Sequence, residues 1–211
     1  MRKILYIAFL LIGHQLVFAQ ESNYTLVPQN KEIETKINNM ANSLNTIQSD
    51  FTQQKHMTYL SVTVESKGKF WYQKENKMRW QYTEPYKYTI LIKDGKITID
   101  DGGKNSEFKV KGNKIFEQMN EIISASIKGT IMKDERFAVT LYENNAFYMV
   151  KLLPKSPEVK EVIAEMFMYF DKTGFSVSKV KMVEKSGDYT LINFSNKKVN
   201  DPIPASVFIL N

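Results

Sequence analysis

Apolar residues recur at helical spacing in two stretches of the chain. Residues 28–44 carry one apolar stripe at steps of three and four, which predicts an amphipathic helix. The members of this stripe are Ile33, Ile37, Met40, Ala41 and Leu44. A second stripe in the middle of the chain predicts another helix, ended by Gly129. The members of the second stripe are Ile115, Phe116, Met119, Ile122, Ile123 and Ile127.

Elsewhere the period is two, which is typical of half-buried β-strands. In residues 78–82, for example, Met78, Trp80 and Tyr82 share one face, whereas Arg79 and Gln81 share the other. Further strand patterns cover residues 47–54, 59–73, 136–142, 147–153, 163–170, 175–184 and 189–195, with a last short strand at 206–210. Polar turns separate most of these segments, so neighbouring strands are expected to form antiparallel hairpins.

The clearest hairpin is TILIKDGKITID, residues 89–100. Asp94-Gly95 suits a two-residue type I′ turn, in which both central residues need a positive φ. Counting back from this turn pairs Ile92 with Ile97, Leu91 with Thr98, and Ile90 with Ile99. Four isoleucines therefore share one face, and a slip of one residue would break the match.

Together the elements predict a mainly β (α+β) fold of about ten or eleven antiparallel strands. Twisted open sheets rarely exceed ~10 strands without curling. Two helices are too few to cover both faces of such a sheet. We therefore expect a strongly curved, unclosed antiparallel β-barrel with a helical lid across its open side.

The first residues bear on the compartment. Arg2 and Lys3 precede an apolar run at residues 4–12, and Val17-Phe18-Ala19 resembles a cleavage site. This order is typical of a secretory signal peptide, here cut after Ala19. The run is shorter than the ~20 apolar residues of a transmembrane helix, so a retained anchor is the weaker alternative. We expect a signal peptide at residues 1–19 and a single domain at 20–211.

Composition excludes several classes of site. The chain has no cysteine, which removes disulfides, thiolate nucleophiles, cysteine metal sites and a lipid anchor on this protein itself. The formal charge is +6, and it falls to +4 when Arg2 and Lys3 leave with the signal peptide. The positive residues are spread along the chain, so we expect no nucleic-acid partner. A weak attraction to anionic membrane surfaces stays open.

Candidate catalytic groups are few. His56 is the only histidine after the signal peptide, and it lies in the polar stretch QQKHMT without nucleophile-elbow glycines. Asp100 and Asp101 open a glycine-rich turn, where carboxylates more often shape the turn than transfer protons. We therefore expect no enzyme, no metal site and no cofactor.

The apolar excess points to binding. Both tryptophans, Trp71 and Trp80, belong to one hairpin, and nine methionines follow the signal peptide. Flexible thioethers suit surfaces that adapt to variable apolar partners, although they also suit ordinary cores. In an exported, cysteine-free, curved sheet, they favour an apolar ligand cavity.

An ordered series of motifs resembles the LolA family, the periplasmic outer-membrane lipoprotein carriers. The series runs IQSDFTQQ (residues 47–54), Gly68-x-Phe70-Trp71, Arg79-Trp80-x-Tyr82-x-x-Pro85, and an apolar strand into Asp94-Gly95-Lys96. It continues with the central helix, YMVKLLPKS (148–156) and the hairpin at 169–196. Each motif is degenerate alone, but their order covers most of the chain after residue 19.

The resemblance implies a function. Family members take acylated lipoproteins from an inner-membrane ABC-type lipoprotein-releasing complex and carry them through the periplasm to the outer membrane. An unclosed barrel with a helical lid encloses the acyl chains, without a cofactor or covalent step. For this chain we expect the same cargo, a monomer and a periplasmic location, with the outer-membrane acceptor unknown.

The expected acyl cavity combines the apolar faces of strands and helices. Sequence leaves open whether the isoleucine face or Leu91 continues the wall, and core packing is the alternative for every member. The assigned residues are Met40, Leu44, Phe70, Tyr72, Met78, Trp80, Tyr82, Ile90, Leu91, Ile92, Ile97, Ile99, Phe116, Met119, Ile122, Ile123, Val180 and Met182.

Lid control is where the chain departs from the family. After the Gly-x-Phe-Trp strand the family commonly has Arg-Pro, and that arginine helps to hold the lid shut, whereas this chain has Lys74-Glu75. Lysine keeps the charge but lacks the planar fork of arginine. Lys74 is the expected lid-control residue, with Arg79 as a possible substitute. The departure motivates an alternative function, a lipid-sensing or envelope interaction module that binds another amphiphile without transferring lipoproteins.

Overall fold

Twelve antiparallel strands form one curved sheet in this computed structural model, which describes residues 23–28, 30–74, 77–109, 125–126 and 129–210. The strands are β1 (Thr25–Val27), β2 (Thr46–Met57), β3 (Val62–Gln73), β4 (Lys77–Glu84), β5 (Tyr88–Lys93), β6 (Lys96–Asp101), β7 (Lys104–Lys109), β8 (Phe137–Glu143), β9 (Phe147–Pro154), β10 (Glu165–Asp171), β11 (Val177–Val183) and β12 (Tyr189–Val199). Their order across the sheet is β1-β8-β9-β10-β11-β12-β2-β3-β4-β5-β6-β7. Because β1 and β7 are the two edges, the sheet is unclosed, which confirms the predicted fold class.

Hairpin geometry follows the turn chemistry. In β5–β6, Ile92 pairs with Ile97 and Ile90 with Ile99, which confirms the predicted register. Asp94 and Gly95 have φ values of 52° and 72°, as a type I′ turn requires. The isoleucines consequently share one face of the sheet.

Helix α1 (Lys31–Ser43) lies within the predicted segment 28–44. It begins at Asn30, whose Oδ1 accepts hydrogen bonds from the backbone N–H groups of Glu32 (2.9 Å) and Ile33 (3.3 Å). Ile33 and Ile37 of its apolar stripe are buried. A four-residue helix (Pro157–Lys160) and two 3₁₀ turns (Thr130–Lys133 and Ala205–Phe208) add little helical structure. Within the described ranges, no helix has both the length and the hydropathy to cross a membrane.

The structure differs from the predicted elements at two places, and a third prediction lies mostly outside the described residues. The predicted last strand at 206–210 is wrong, because residues 205–208 form a 3₁₀ turn. There the carbonyls of Val207 and Ile209 accept hydrogen bonds from the Arg79 side chain. The edge strand β1 was not predicted, since three residues are too few to show a period. The predicted helix at 115–127 lies outside the described residues, apart from the helical residues 125–126.

Two apolar clusters lie on the concave side of the sheet. The helix-side cluster joins α1 to β8–β10 and is formed by Ile33, Ile37, Ile131, Phe137, Leu141, Val150, Leu152, Val159, Ile163, Met166, Met168 and Phe170. The aromatic cluster, formed by Phe51, Phe70, Tyr72 and Met78, lies on β2–β4. The space between the clusters is the candidate site.

Gly68 permits the close packing of the aromatic cluster. A methyl group at Gly68 would lie 2.1 Å from the Gln81 carbonyl oxygen and 2.6 Å from the Phe51 ring. The ring therefore occupies space that any larger residue would need. Phe51 in turn contacts Trp80 and Tyr82, with ring centroids 4.9 and 5.1 Å apart.

Candidate functional site: an apolar cavity

A cavity of about 470 Å³ lies between the helix-side cluster and the aromatic cluster. Small-molecule pockets typically measure ~300–1,000 Å³. Helix α1 covers one side, and the concave face of the sheet forms most of the described wall. The lining residues are Ile37, Met40, Ala41, Leu44, Ile47, Ser49, Gln53, Phe70, Met78, Trp80, Tyr82, Ile90, Ile92, Ile97, Ser126, Met166, Met168, Phe170, Phe175, Ser176, Val177, Val180, Met182, Thr190, Ile192, Phe194, Lys197 and Val199.

Strand β4 contributes an aromatic wall through its alternating side chains. Met78, Trp80 and Tyr82 line the cavity. The Trp80 ring packs edge-on against Phe70, with centroids 5.0 Å apart. Trp71 pairs with Arg79, so it shares the opposite, convex face. The two tryptophans of the hairpin therefore have different environments.

The β5–β6 hairpin continues this wall through its isoleucine face. Ile90 pairs with Trp80 and Ile92 with Met78, so these pairs share the cavity side. Ile97 lines the cavity as well, whereas Ile99 does not. Leu91 pairs with Arg79 and belongs to the convex side. The sequence did not decide which face of this hairpin lines the cavity, and in the structure it is the isoleucine face.

The opposite wall comes from strands β10–β12. Met166 and Met168 of β10 and Met182 of β11 present thioethers to the cavity. Ile192 and Phe194 of β12 add a branched and an aromatic side chain. Of this wall, only Val180 and Met182 were assigned from sequence. Met166, Met168, Ile192 and Phe194 were not. Alternation within 189–195 gave a usable signal, because Thr190, Ile192 and Phe194 share one face.

A few polar groups interrupt the apolar lining. The Tyr82 hydroxyl donates a hydrogen bond to Gln53 Oε1 at 3.0 Å. Burial raises the pKa of Tyr82, and the neighbouring Trp80 and Gln53 side chains act in the opposite direction. The Ser49 hydroxyl is buried and has no hydrogen-bond partner among the described residues.

Lys197 is the only charged residue among the described lining residues. Its ammonium group donates to Asp171 Oδ2 (2.9 Å), Ser176 Oγ (2.6 Å) and Ser178 Oγ (2.9 Å). Asp171 Oδ2 also accepts from both serine hydroxyls, and Oδ1 accepts from Gly174 N–H. Burial would raise the pKa of Asp171, but hydrogen bonds from Lys197, Gly174 and Ser176 hold it well below the usual value. This Asp171–Lys197 network neutralises the cation at the cavity wall.

A bulge in β12 places Lys197 there. Ser195 pairs with Asp50, but the next pair is Lys198 with Gln48, so two residues of β12 bulge opposite Ser49. Asn196, in the bulge, has a φ of 51°. Cavity-facing residues are even-numbered before the bulge and odd-numbered after it, as Phe194 and Lys197 show.

The remaining sequence assignments fall in three groups. Met40 and Leu44 of the first helix line the cavity, as do Val180 and Met182. Tyr72 is buried in the aromatic cluster but does not line the cavity. The expected lid residues Phe116, Met119, Ile122 and Ile123 lie outside the described residues.

Arg79 lies on the convex face, away from the cavity. Its Nη1 donates to the carbonyls of Val207 (2.9 Å) and Ile209 (3.2 Å). The guanidinium group also lies over the Trp71 ring, with 5.9 Å between its carbon and the centroid. Arg79 therefore fastens the C-terminal segment to β4. Lys74 lies exposed at the end of β3, and lid control by either residue stays a prediction.

The possible catalytic groups have structural partners. His56 Nδ1 lies 3.0 Å from Thr63 Oγ1, and its ring stacks on Tyr189. Asp100 Oδ1 accepts from Gly103 N–H at 2.7 Å, which shapes the β6–β7 turn. In the part of the chain that the structure describes, no group of three or more His, Asp or Glu side chains could hold a metal ion. The arrangement is suited to enclosing apolar groups.

Known proteins share this sequence pattern and fold. Residues 42–211 match the family described as "Outer membrane lipoprotein carrier protein LolA". A relative from Methylococcus capsulatus, named Outer-membrane lipoprotein carrier protein, is 23% identical over 176 residues, which cover 83% of this chain and 81% of the relative.

Solved structures add a likeness of fold alone. An uncharacterized conserved protein from Thermus thermophilus has a TM-score of 0.52 at 10% identity, covering 85% of this chain and 93% of that one. The Pseudomonas aeruginosa MucA/MucB complex includes a chain with a TM-score of 0.52 at 10% identity, covering 85% of this chain and 61% of that one.

Proposed function

The chain belongs to the LolA family of outer membrane lipoprotein carrier proteins, and from that premise we propose that it carries lipoproteins by enclosing their acyl chains in the cavity. The observation that supports the proposal most directly is the cavity itself. Its wall combines aromatic, branched and thioether side chains under helix α1. No bond is made or broken in this function.

The energetics of acyl burial agree with such a role. Moving acyl chain out of water recovers ~0.8 kcal/mol per CH₂ group, so an acylated protein cannot cross an aqueous compartment uncovered at low cost. Methionine side chains such as Met40, Met168 and Met182 can repack around chains of different shape. A wall of this kind holds cargo without the tight fit that would prevent its release.

The cargo route completes the proposal. Acylated lipoproteins would come from an inner-membrane ABC-type complex and pass through the periplasm to an acceptor at the outer membrane. The chain would act there as a monomer after removal of residues 1–19. The lining residues assigned from sequence are the proposed acyl contacts. Phe116, Met119, Ile122 and Ile123 remain predicted lid contacts.

A release assay tests carriage. Spheroplasts that make a labelled lipoprotein are incubated with the purified protein, and the supernatant is examined for a soluble one-to-one complex. The wild-type protein is expected to yield this complex. Folded protein that binds acyl probes but releases no lipoprotein would overturn carriage and leave the cavity as a lipid site.

Two tryptophans provide a matched pair for the same assay. Trp80→Glu places a carboxylate in the apolar cavity and is expected to abolish release. Trp71→Glu makes the same change on the convex face and is expected to leave release intact. Met40→Glu, from α1, checks the cavity independently should Trp80→Glu disturb the aromatic cluster. Undiminished release by folded Trp80→Glu and Met40→Glu proteins would contradict the cavity assignment.

A second candidate is an envelope interaction module that binds an amphiphile or a protein partner without transferring lipoproteins. The Lys74-Glu75 departure from the family pattern favours it. The MucA/MucB complex also shows a protein of this fold bound to a partner protein. A complex with lipid or protein in the absence of lipoprotein release would support this candidate.

A further inference from the structure

Ser49 is an unusual residue for its position in the cavity wall. It lies on the concave face of β2 between Ile47 and Phe51, and it is only 6% exposed. Its Oγ has no hydrogen-bond partner among the described residues. A buried hydroxyl without a partner lowers stability, because it gives up its hydrogen bonds to water without replacement. Such a residue calls for a partner from outside the fold.

The surroundings of Ser49 select the kind of partner. Ile47 and Phe70 are its lining neighbours on β2 and β3. On its other side Ser49 lies opposite the β12 bulge, from which Lys197 faces the cavity. Trp80 Nε1 is a second buried donor, and it has no hydrogen-bond partner among the described residues. Because Ser49 lines the cavity, rotation of its side chain would present the hydroxyl to a ligand that brings acceptors.

We propose that the Ser49 hydroxyl donates a hydrogen bond to the carbonyl oxygen of a bound acyl ester. Every acyl chain ends in a carbonyl, and an ester carbonyl accepts hydrogen bonds but donates none. The interaction places the polar end of the chain at Ser49 and its hydrocarbon along the aromatic wall. The inference rests on the proposed acyl-binding function and adds the ligand group that the cavity recognises.

Two probes of equal chain length isolate the carbonyl. The purified protein is titrated with 1-monohexadecanoylglycerol, an ester, and with 1-O-hexadecylglycerol, the ether that lacks only the carbonyl oxygen. Wild-type protein is expected to bind the ester about three- to tenfold more tightly, the range of one net hydrogen bond. Ser49→Ala is expected to bring the two affinities together by weakening only the ester.

Ser195→Ala is the matched control. It removes an exposed serine hydroxyl from the neighbouring strand β12, where Ser195 pairs with Asp50 rather than with a cavity residue. We expect this variant to keep the wild-type ratio of ester to ether affinity. A Ser49→Ala protein that also keeps this ratio would overturn the inference, and acyl binding by both proteins would leave the proposed function standing.

Stability supplies a second readout. Ser49→Ala removes an unpaired hydroxyl, so the ligand-free variant is expected to unfold at the same urea concentration as wild type or a higher one. A clear decrease would mean that the hydroxyl is paired within the fold, which contradicts the inference. Failure of wild-type protein to bind either probe would remove both the inference and the proposed acyl-binding function.

Discussion

The Asp171–Lys197 network lends itself to a quantitative test of how the fold tolerates a cation at an apolar cavity. Asp171→Asn removes the negative charge and leaves one oxygen where two accept, Oδ2 from Lys197 and the serines and Oδ1 from Gly174. Lys197→Met instead removes the cation and leaves Asp171 with donors from Thr173, Gly174 and the two serines. The two substitutions break the same ion pair, but they leave different groups behind.

The expected loss in the free energy of unfolding follows from how far the ion pair is buried. The side chains of Lys197 and Asp171 are 21% and 23% exposed, between a surface pair and a buried one. Surface pairs contribute ~0–1 kcal/mol, whereas removing one partner of a buried pair costs ~3–5 kcal/mol. We expect Asp171→Asn to lower the free energy of unfolding by about 2–3 kcal/mol and Lys197→Met by about 1 kcal/mol. The asymmetry arises because Lys197→Met leaves a carboxylate that four other donors still satisfy, whereas Asp171→Asn leaves an ammonium group without a counter-charge.

Urea unfolding at several pH values measures both effects. The pKa of Asp171 is depressed in the folded state, so its contribution is complete above the unfolded pKa, ~4, and is lost as pH falls further. The difference between wild type and Asp171→Asn should therefore be full at pH 7 and shrink in acid. A cost below ~0.5 kcal/mol at pH 7, or a larger cost for Lys197→Met, would refute the reasoning.

Three further predictions concern other parts of the sheet. Gly68→Ala should destabilise the protein by about 2 kcal/mol or more in urea unfolding, because the added methyl group would overlap the Phe51 ring and the Gln81 carbonyl oxygen. An unchanged free energy of unfolding would contradict the close packing. Arg79→Met should speed amide exchange around Val207 without affecting lipoprotein release; reduced release would instead support lid control by Arg79. Binding of acyl probes should shift the tryptophan fluorescence through Trp80. If a Trp80→Phe protein still shows the shift, the bound acyl chain does not lie against Trp80.

Sequence reasoning succeeded where the signal is local. The Asp94-Gly95 turn specified the pairing of Ile90 with Ile99 because two-residue turns admit few backbone conformations. Alternation placed Met78 and Trp80 on one face of β4 because side chains of a strand point to alternate sides. Eleven of the residues assigned from sequence lie on the cavity: Met40, Leu44, Phe70, Met78, Trp80, Tyr82, Ile90, Ile92, Ile97, Val180 and Met182.

Sequence reasoning fell short where a residue's contacts depend on distant parts of the chain. The segment 206–210 has a strand-like pattern, yet it contains a 3₁₀ turn whose neighbouring carbonyls bond to a side chain of β4. That side chain belongs to Arg79, and its partners Val207 and Ile209 follow about 130 residues later. These contacts leave no periodic trace in the sequence.

Local patterns were enough to specify most of the strands, helix α1 and which side chains share a face, because backbone periods and turn dihedrals act over a few residues. Where those faces meet depends on the three-dimensional arrangement of the strands. Curvature brought β10–β12 opposite the aromatic wall, and the β12 bulge turned Lys197 toward Asp171. It also left Ser49 buried, without a partner among the described residues. These outcomes depend on strand order and close packing, which combine residues more than a hundred positions apart.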